Sequence, residues 1–239
     1  MTFPVAILAG GLATRLRPLT EKIPKSLVEL NGEPFIAHQL RLLQAAGLKE
    51  VVICAWYRGE LIREFAGDGS HFGVELSYSF DGDYPLGTGG ALHKALPCLG
   101  SSFFVLYGDS YLPCNYHAVE TAYITAQKDG LMTVYHNLNQ GDRSNVEISD
   151  GQILVYDKRN RSSKMEYIDY GLGILSASAF NPYSLGQPLD LADVYQHLLA
   201  EGQLAGYEVQ ERFYEIGSFE GINELECYLK HKIEGETSE

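Results

Sequence analysis

The chain has 239 residues, 45% hydrophobic and 21% charged, enough for one α/β domain with a filled core and too short for two comfortable ones. Its 31 acidic and 18 basic residues give a net charge of −13, which repels polyanions and argues against nucleic acid or an acidic membrane surface as partner. The four cysteines are far apart with no CxxC pair, the seven histidines are scattered, and MTFPVAILAGG lacks the basic flank and the length of a signal peptide or membrane span. These features speak against a disulfide framework or zinc site and for a reducing cytoplasmic compartment.

In chain order, Val5–Ala9 reads as a fully buried strand closed by Gly10-Gly11. Phe35–Ala46 sets Ile36, Leu40 and Leu43 on one helical face and stops at Gly47. Val51–Ala55 is a second buried strand with Cys54 as a buried thiol, Gly59–Ala66 a short helix, and Val74–Phe80 an extended segment. Gly89–Leu96 is expected to be helical up to Pro97, and Phe103–Tyr107 is a third buried strand. This alternation predicts a parallel, Rossmann-like sheet with helices on both faces.

The second half reads differently. Asn145–Ile148 and Gln152–Tyr156 flank Asp150-Gly151, a hairpin signal, and Leu172–Ser176 and Tyr207–Gln210 read as further strands. Leu189–Ala200 and Phe219–Lys232 are amphipathic helices, the latter with Ser218 as N-cap and GETSE as a frayed tail. No repeat, linker or low-complexity stretch divides the chain, so residues 1–239 are expected to form one domain with a more antiparallel C-terminal half. Neither heptads nor hexapeptide repeats mark an assembly module, which leaves a homo-oligomer open.

The densest chemical signal is Gly10-Gly11-Leu12-Ala13-Thr14-Arg15-Leu16-Arg17-Pro18-Leu19-Thr20 followed by Pro24-Lys25, which leaves the first strand directly. Glycines let backbone amides approach a phosphate, Arg15 suits a fork onto its oxygens, and Lys25 suits a point contact. A tight turn carrying solvated bases is the alternative, and the added Arg and Pro-Lys weigh against it. Neither GxGxxG nor GxxxxGK[ST] occurs; Gly87-Thr88-Gly89-Gly90 runs to Lys94 at the wrong spacing. Asp109 follows a buried strand and a glycine, and therefore lies where parallel sheets bind ligands. Lys158 ends a hairpin strand beside Arg159 and Arg161, as a solvated loop charge or as a cation for a second phosphate.

The pattern GGLATRLRPLT…PKSL resembles the signature of the sugar-phosphate nucleotidyltransferases, the NDP-sugar pyrophosphorylases, and the resemblance continues along almost the whole chain. Pro85–Leu92 resembles the loop that meets the nucleobase, with Gly87, Thr88 and Gly89 at its centre. Leu106–Ser110 is similar to a metal-binding strand end, and Asp157-Lys158 to the acid–lysine pair that meets the sugar phosphate. Asp169–Gly173, with Asp169 and Gly171, resembles the sugar-contacting strand, and Tyr214–Ser218 a second metal site. This family has glycine where Ala13 stands and aspartate where Glu215 stands.

The resemblance implies an α/β fold of the nucleotide-diphospho-sugar transferase type, with a Rossmann-like mixed sheet flanked by helices. It implies transfer of a nucleotidyl group from an NTP to a sugar 1-phosphate. Such a phosphate is anionic near neutral pH and can attack the α-phosphorus in line, so the protein's work is positioning and charge neutralisation. On this reading Leu8, Gly10, Gly11, Leu12, Ala13 and Thr14 hold the nucleotide. Arg15 meets the β- and γ-phosphates and Lys25 the α-phosphate. Asp109 and Glu215 hold Mg2+, and Lys158, Asp169 and Gly171 hold the acceptor. The overall look is nearest the short heptose or hexose 1-phosphate guanylyltransferases, which favours GTP; uridylyl transfer and a silent nucleotide-sugar-binding regulatory subunit are the alternatives.

Overall fold

The structure, a computed structural model, describes residues 2–12, 14–137, 143–149 and 151–236. Val5–Leu8 forms β1, buried on both faces as an unbroken apolar run requires. Past Gly10-Gly11 come 3-10 turns at Thr14–Leu16, Leu19–Glu21 and Lys25–Leu27, then a small hairpin of β2 (Glu29–Leu30) and β3 (Glu33–Pro34). Helix α1 (Phe35–Ala45) buries Ile36, Leu40 and Leu43 and ends at Gly47, whose φ of +79° a β-carbon would oppose. Strand β4 (Glu50–Ala55), helix α2 (Gly59–Ala66) and strand β5 (Glu75–Phe80) follow.

Helix α3 (Gly87–Leu99) begins and ends outside its expected bounds of Gly89 and Leu96. Pro97 sits in its last turn, so the ring lets the helix close at Leu99 and does not end it at the proline. β6 (Ser102–Tyr107) and the two-residue β7 (Ser110–Tyr111) lead to α4 (Tyr116–Ala126) and β8 (Gly130–His136), neither of which the sequence reading assigned. Next come β9 (Val146–Ser149), β10 (Gln152–Tyr156) and β11 (Tyr167–Ser176). The chain finishes with α5 (Leu191–Ala200), β12 (Leu204–Val209), β13 (Tyr214–Glu215) and α6 (Phe219–Glu236). Asp190, expected inside α5, is its N-cap and accepts from Ala192 N–H at 3.0 Å. Ser218 caps α6 as expected, accepting from Gly221 N–H, but the helix continues past Lys232 to Glu236.

β1 lies between β4 and β6, parallel to both, with β5 parallel beyond β4. β11 is antiparallel to β6 and to β8, and β12 runs parallel on the far side of β8. The β9–β10 hairpin joins the start of β11 through Tyr167 and Val146. The sheet is thus the mixed one expected, parallel in its first half and largely antiparallel in its second. Alternate residues of β1 feed opposite cores: Ile7 belongs to the one that holds Ile36, Leu40 and Val119, and Ala6 to the one that holds Leu92, Ala95 and Val194. A smaller core of Leu16, Val28, Phe35, Ile216 and Leu225 ties the N-terminal turns to the start of α6. No described helix is long and apolar enough to cross a membrane.

The second core is tight where α5 crosses β11. A β-carbon on Gly173 would stand 2.2 Å from the Tyr195 hydroxyl and 2.9 Å from the Leu131 carbonyl. Gly173→Ala is therefore expected to displace Tyr195 and to cost about 1–3 kcal/mol. Thermal denaturation followed by circular dichroism checks this, a melting temperature equal to wild type being the contrary result.

Candidate active site

A cavity of about 420 Å³ opens at the carboxyl ends of β1, β4, β5 and β6, the crevice in which open α/β sheets take ligands. The exit of β1 contributes Leu8, Gly10, Gly11 and Leu12 to its wall. The exits of β4 and β5 contribute Cys54, Trp56 and Asp81; Tyr107, Gly108 and Asp109 close it from β6. Gly108 is what lets Asp109 sit here, since a β-carbon on it would lie 2.5 Å from the Leu8 carbonyl oxygen. Cys54 is buried as expected, and burial pushes its thiol far above the usual range.

Lys25 enters from its 3-10 turn, where Val28 N–H donates to its carbonyl. Its ammonium donates to Asp109 Oδ2 at 2.7 Å, with the two side chains 19% and 36% exposed. The neighbouring Ser26 also lines the cavity; its buried hydroxyl has no hydrogen-bond partner among the described residues. Glu215 reaches the same place from far along the chain. β13 pairs antiparallel with β7, setting Glu215 opposite Ser110, and Ile216 N–H donates to the Asp109 carbonyl at 2.9 Å. A β-carbon on Gly217 would lie 3.9 Å from Lys25 Nζ and 4.0 Å from Glu215 Oε2, so both charges flank that one glycine.

Arg15 is not brought into this wall; it is exposed on the Thr14–Leu16 turn. Ala13 lies outside the described residues, and of Thr14 only the backbone is described. Gly87 and Thr88 line the cavity, but Gly89 does not. The amides of Gly89 and Gly90 both donate to the Leu189 carbonyl, at 2.9 and 3.1 Å, so they are not turned to a ligand. Thr88 Oγ1 accepts from Leu191 N–H at 2.8 Å and donates to Asp190 Oδ1 at 3.2 Å. Of this stretch, expected to meet a base, Gly89 and Gly90 thus belong to the seam between α3 and α5, while Gly87 and Thr88 stand in the cavity wall.

Beyond Tyr107 lies a second polar group. Lys158 Nζ is 3.4 Å from the Tyr107 hydroxyl and 3.6 Å from Asp169 Oδ2. Asp157 does not pair with it: its Oδ1 accepts from the backbone N–H of Arg159 and Asn160 at 2.7 and 2.8 Å. Those bonds hold the Asp157 carboxyl below the usual carboxylate range. Asp169 and Gly171 sit on an irregularity of β11, where Asp169 opposes Val134 but Gly173 opposes Met132.

Trp56, Asp81, Ser26, Tyr107 and Tyr156 were not singled out in the sequence. Trp56 and Asp81 each follow the last residue of a strand, and Ala55 pairs with Phe80, so the crevice rule alone places them as neighbours. Asp81 Oδ2 accepts from Leu86 N–H at 2.8 Å, and burial raises its carboxyl pKa.

The model of a family described as nucleotidyl transferase matches residues 5–146. A D-glycero-alpha-D-manno-heptose 1-phosphate guanylyltransferase of Campylobacter jejuni is 26% identical over 212 residues, covering 88% of this chain and 93% of that one. An N-acetylmuramate alpha-1-phosphate uridylyltransferase of Neisseria meningitidis is 30% identical over 228 residues, covering 92% and 96%. Among solved structures, HddC from Yersinia pseudotuberculosis superposes with a TM-score of 0.78 at 23% identity, covering 95% of this chain and all of that one, a likeness of fold.

Proposed function

The chain belongs to the nucleotidyl transferase family, and from that premise we propose that it joins an NTP to a sugar 1-phosphate, releasing pyrophosphate, with GTP as its favoured donor. The observation that carries this reading is Lys25 Nζ on Asp109 Oδ2 in the wall of the nucleotide-sized cavity, with the Lys158 cation on the far side of Tyr107. One wall thereby serves two phosphates. The amides of Gly10–Leu12 and the Ser26 hydroxyl would hold the donor's phosphate chain. Lys25 would meet the α-phosphate, where charge builds as the acceptor oxygen attacks, while Lys158 offsets the acceptor's charge.

Asp109 and Glu215 are the residues that would hold magnesium, which when bound neutralises charge on the phosphates. One carboxylate on β13 and one immediately before β7, the strand that β13 pairs with, suit an ion that takes its remaining ligands from phosphate and water. No group of three or more His, Cys, Asp or Glu poised for a metal occurs among the described residues.

Asp81 supports guanine. A carboxylate beside the cavity, with one oxygen engaged by Leu86 N–H, can accept from the adjacent N1–H and amino group of guanine. Uracil offers a single N–H. Asp81→Asn is expected to cut kcat/KM for GTP by about 10- to 100-fold, the size of a lost charge-assisted hydrogen bond, and that for UTP by much less. Pyrophosphate release from five NTPs, with heptose, mannose, glucose and N-acetylmuramate 1-phosphates as acceptors, checks both statements. Equal losses for GTP and UTP would remove Asp81 from base reading. Wild-type preference for UTP would transfer the donor assignment to uridylyl transfer, and no turnover with any pair would leave a binding subunit.

A further inference from the structure

Asp169, expected to touch the sugar, has a side chain only 5% exposed, and each of its carboxylate oxygens is engaged by the protein. Its Oδ1 accepts from Gly171 N–H at 3.1 Å, made possible by Gly171's φ of +92°. Its Oδ2 accepts from the Tyr156 hydroxyl at 3.1 Å and faces Lys158 Nζ at 3.6 Å. Asp169 N–H is itself held by Asn145 Oδ1 at 2.9 Å.

Tyr156 is buried and fixed from behind. Its carbonyl accepts from Gln196 Nε2 at 3.1 Å, and its ring meets Tyr195 edge-on with centroids 6.0 Å apart. The Lys158 ammonium lies between two rings, 5.3 Å from the Tyr107 centroid and 5.7 Å from that of Tyr156. An ammonium has three N–H groups. Tyr107 Oη and Asp169 Oδ2 take two directions, which leaves one, on a side chain 40% exposed, for a ligand. Tyr107 also lines the donor cavity, so the ammonium is fixed against the wall that separates the two substrates.

We propose that Tyr156, acting through Asp169, is a positioning residue that holds the Lys158 ammonium against Tyr107, so that the acceptor phosphate arrives beside the donor cavity. This rests on the nucleotidyl-transfer reading above. Asp169 is on this geometry an anchor for the lysine, and the acceptor touches Lys158.

The test is a double-mutant cycle of Tyr156→Phe and Lys158→Ala, read as separate KM values for GTP and D-glycero-α-D-manno-heptose 1-phosphate. Tyr156→Phe should raise KM for the heptose phosphate by about five- to tenfold, one hydrogen bond's worth, and leave KM for GTP within about twofold. Lys158→Ala should raise the same KM further, and Tyr156→Phe should then add nothing. An equal factor in both backgrounds, or equal rises for both substrates, would overturn the relay and leave Tyr156 a packing residue. Asp169→Asn keeps the shape and serves if Tyr156→Phe folds poorly. It should raise the acceptor KM, and a lowered one would show that Asp169 only repels the phosphate. Turnover with additive factors defeats the relay alone, whereas no turnover by the wild-type chain with any donor and acceptor defeats the functional reading and the relay with it.

Discussion

Lys25→Ala is expected to lower kcat by on the order of a hundred- to a thousandfold, with a much smaller change in KM for the triphosphate. The lysine stands 2.7 Å from Asp109 Oδ2 and 19% exposed, so its ammonium is partly desolvated and already aimed. In the ground state the α-phosphate shares its charge along the chain of phosphates. Charge accumulates at the transferring centre only as the acceptor bonds and pyrophosphate departs, so a fixed cation there binds the transition state best. Removing it also leaves the Asp109 carboxylate without its partner. That carboxylate is 36% exposed, so water compensates in part and the fold should survive. Lys25→Arg should be impaired too, because a planar fork does not replace a point charge on a short approach. A folded Lys25→Ala enzyme with kcat near wild type would sink the assignment to the α-phosphate.

The lines of the sequence that were legible are those where one residue type answers one local demand. Val5–Leu8, Glu50–Ala55 and Ser102–Tyr107 are central strands, and their continuous apolar character follows from burial on both faces. α4 escaped for the opposite reason. Val119, Thr121, Ile124 and Thr125 are β-branched and poor helix formers, and the helix stands on tertiary packing plus the Asn115 cap to Ala118 N–H. Thr121 and Thr125 turn their hydroxyls back onto carbonyls one turn earlier, a satisfaction that no sequence pattern announces.

The site divides in the same way. Gly10-Gly11 and Gly108-Asp109 were readable because they follow strands directly. Gly87–Gly90 read by resemblance as part of a loop that meets the base, and the sequence could not show what else they pack against. The answer lies in Leu189, whose carbonyl would stand 2.6 Å from a β-carbon on Gly87. Asp169 reads by resemblance as a residue that meets the sugar, and the Tyr156 hydroxyl that donates to it comes from β10, a neighbour that only the folded chain displays.

Glu215 is the most non-local member, and Glu215→Gln is expected to lower kcat by about a hundredfold with partial recovery at high magnesium. An amide keeps the volume but is a weaker ligand for a hard cation. Glu215→Asp is the sharper comparison. The backbone at this position is pinned: β13 pairs with β7, Ile216 N–H holds the Asp109 carbonyl, and Tyr214 stacks on Tyr228 with centroids 4.5 Å apart. Gly221 adds to this, because a β-carbon there would stand 2.1 Å from the Glu215 carbonyl oxygen. A shortened arm therefore cannot be carried forward by the strand, and a ligand misplaced by about 1 Å costs on the order of a hundredfold in rate. Glu215→Asp should accordingly be impaired, although aspartate is the residue the family carries here. Rates across a magnesium titration, together with Mn2+ affinity from electron paramagnetic resonance, separate lost metal binding from lost folding. Full activity in Glu215→Gln with an unchanged magnesium dependence and Mn2+ affinity would place the second carboxylate ligand elsewhere, and Lys25 and Asp109 would then act without it.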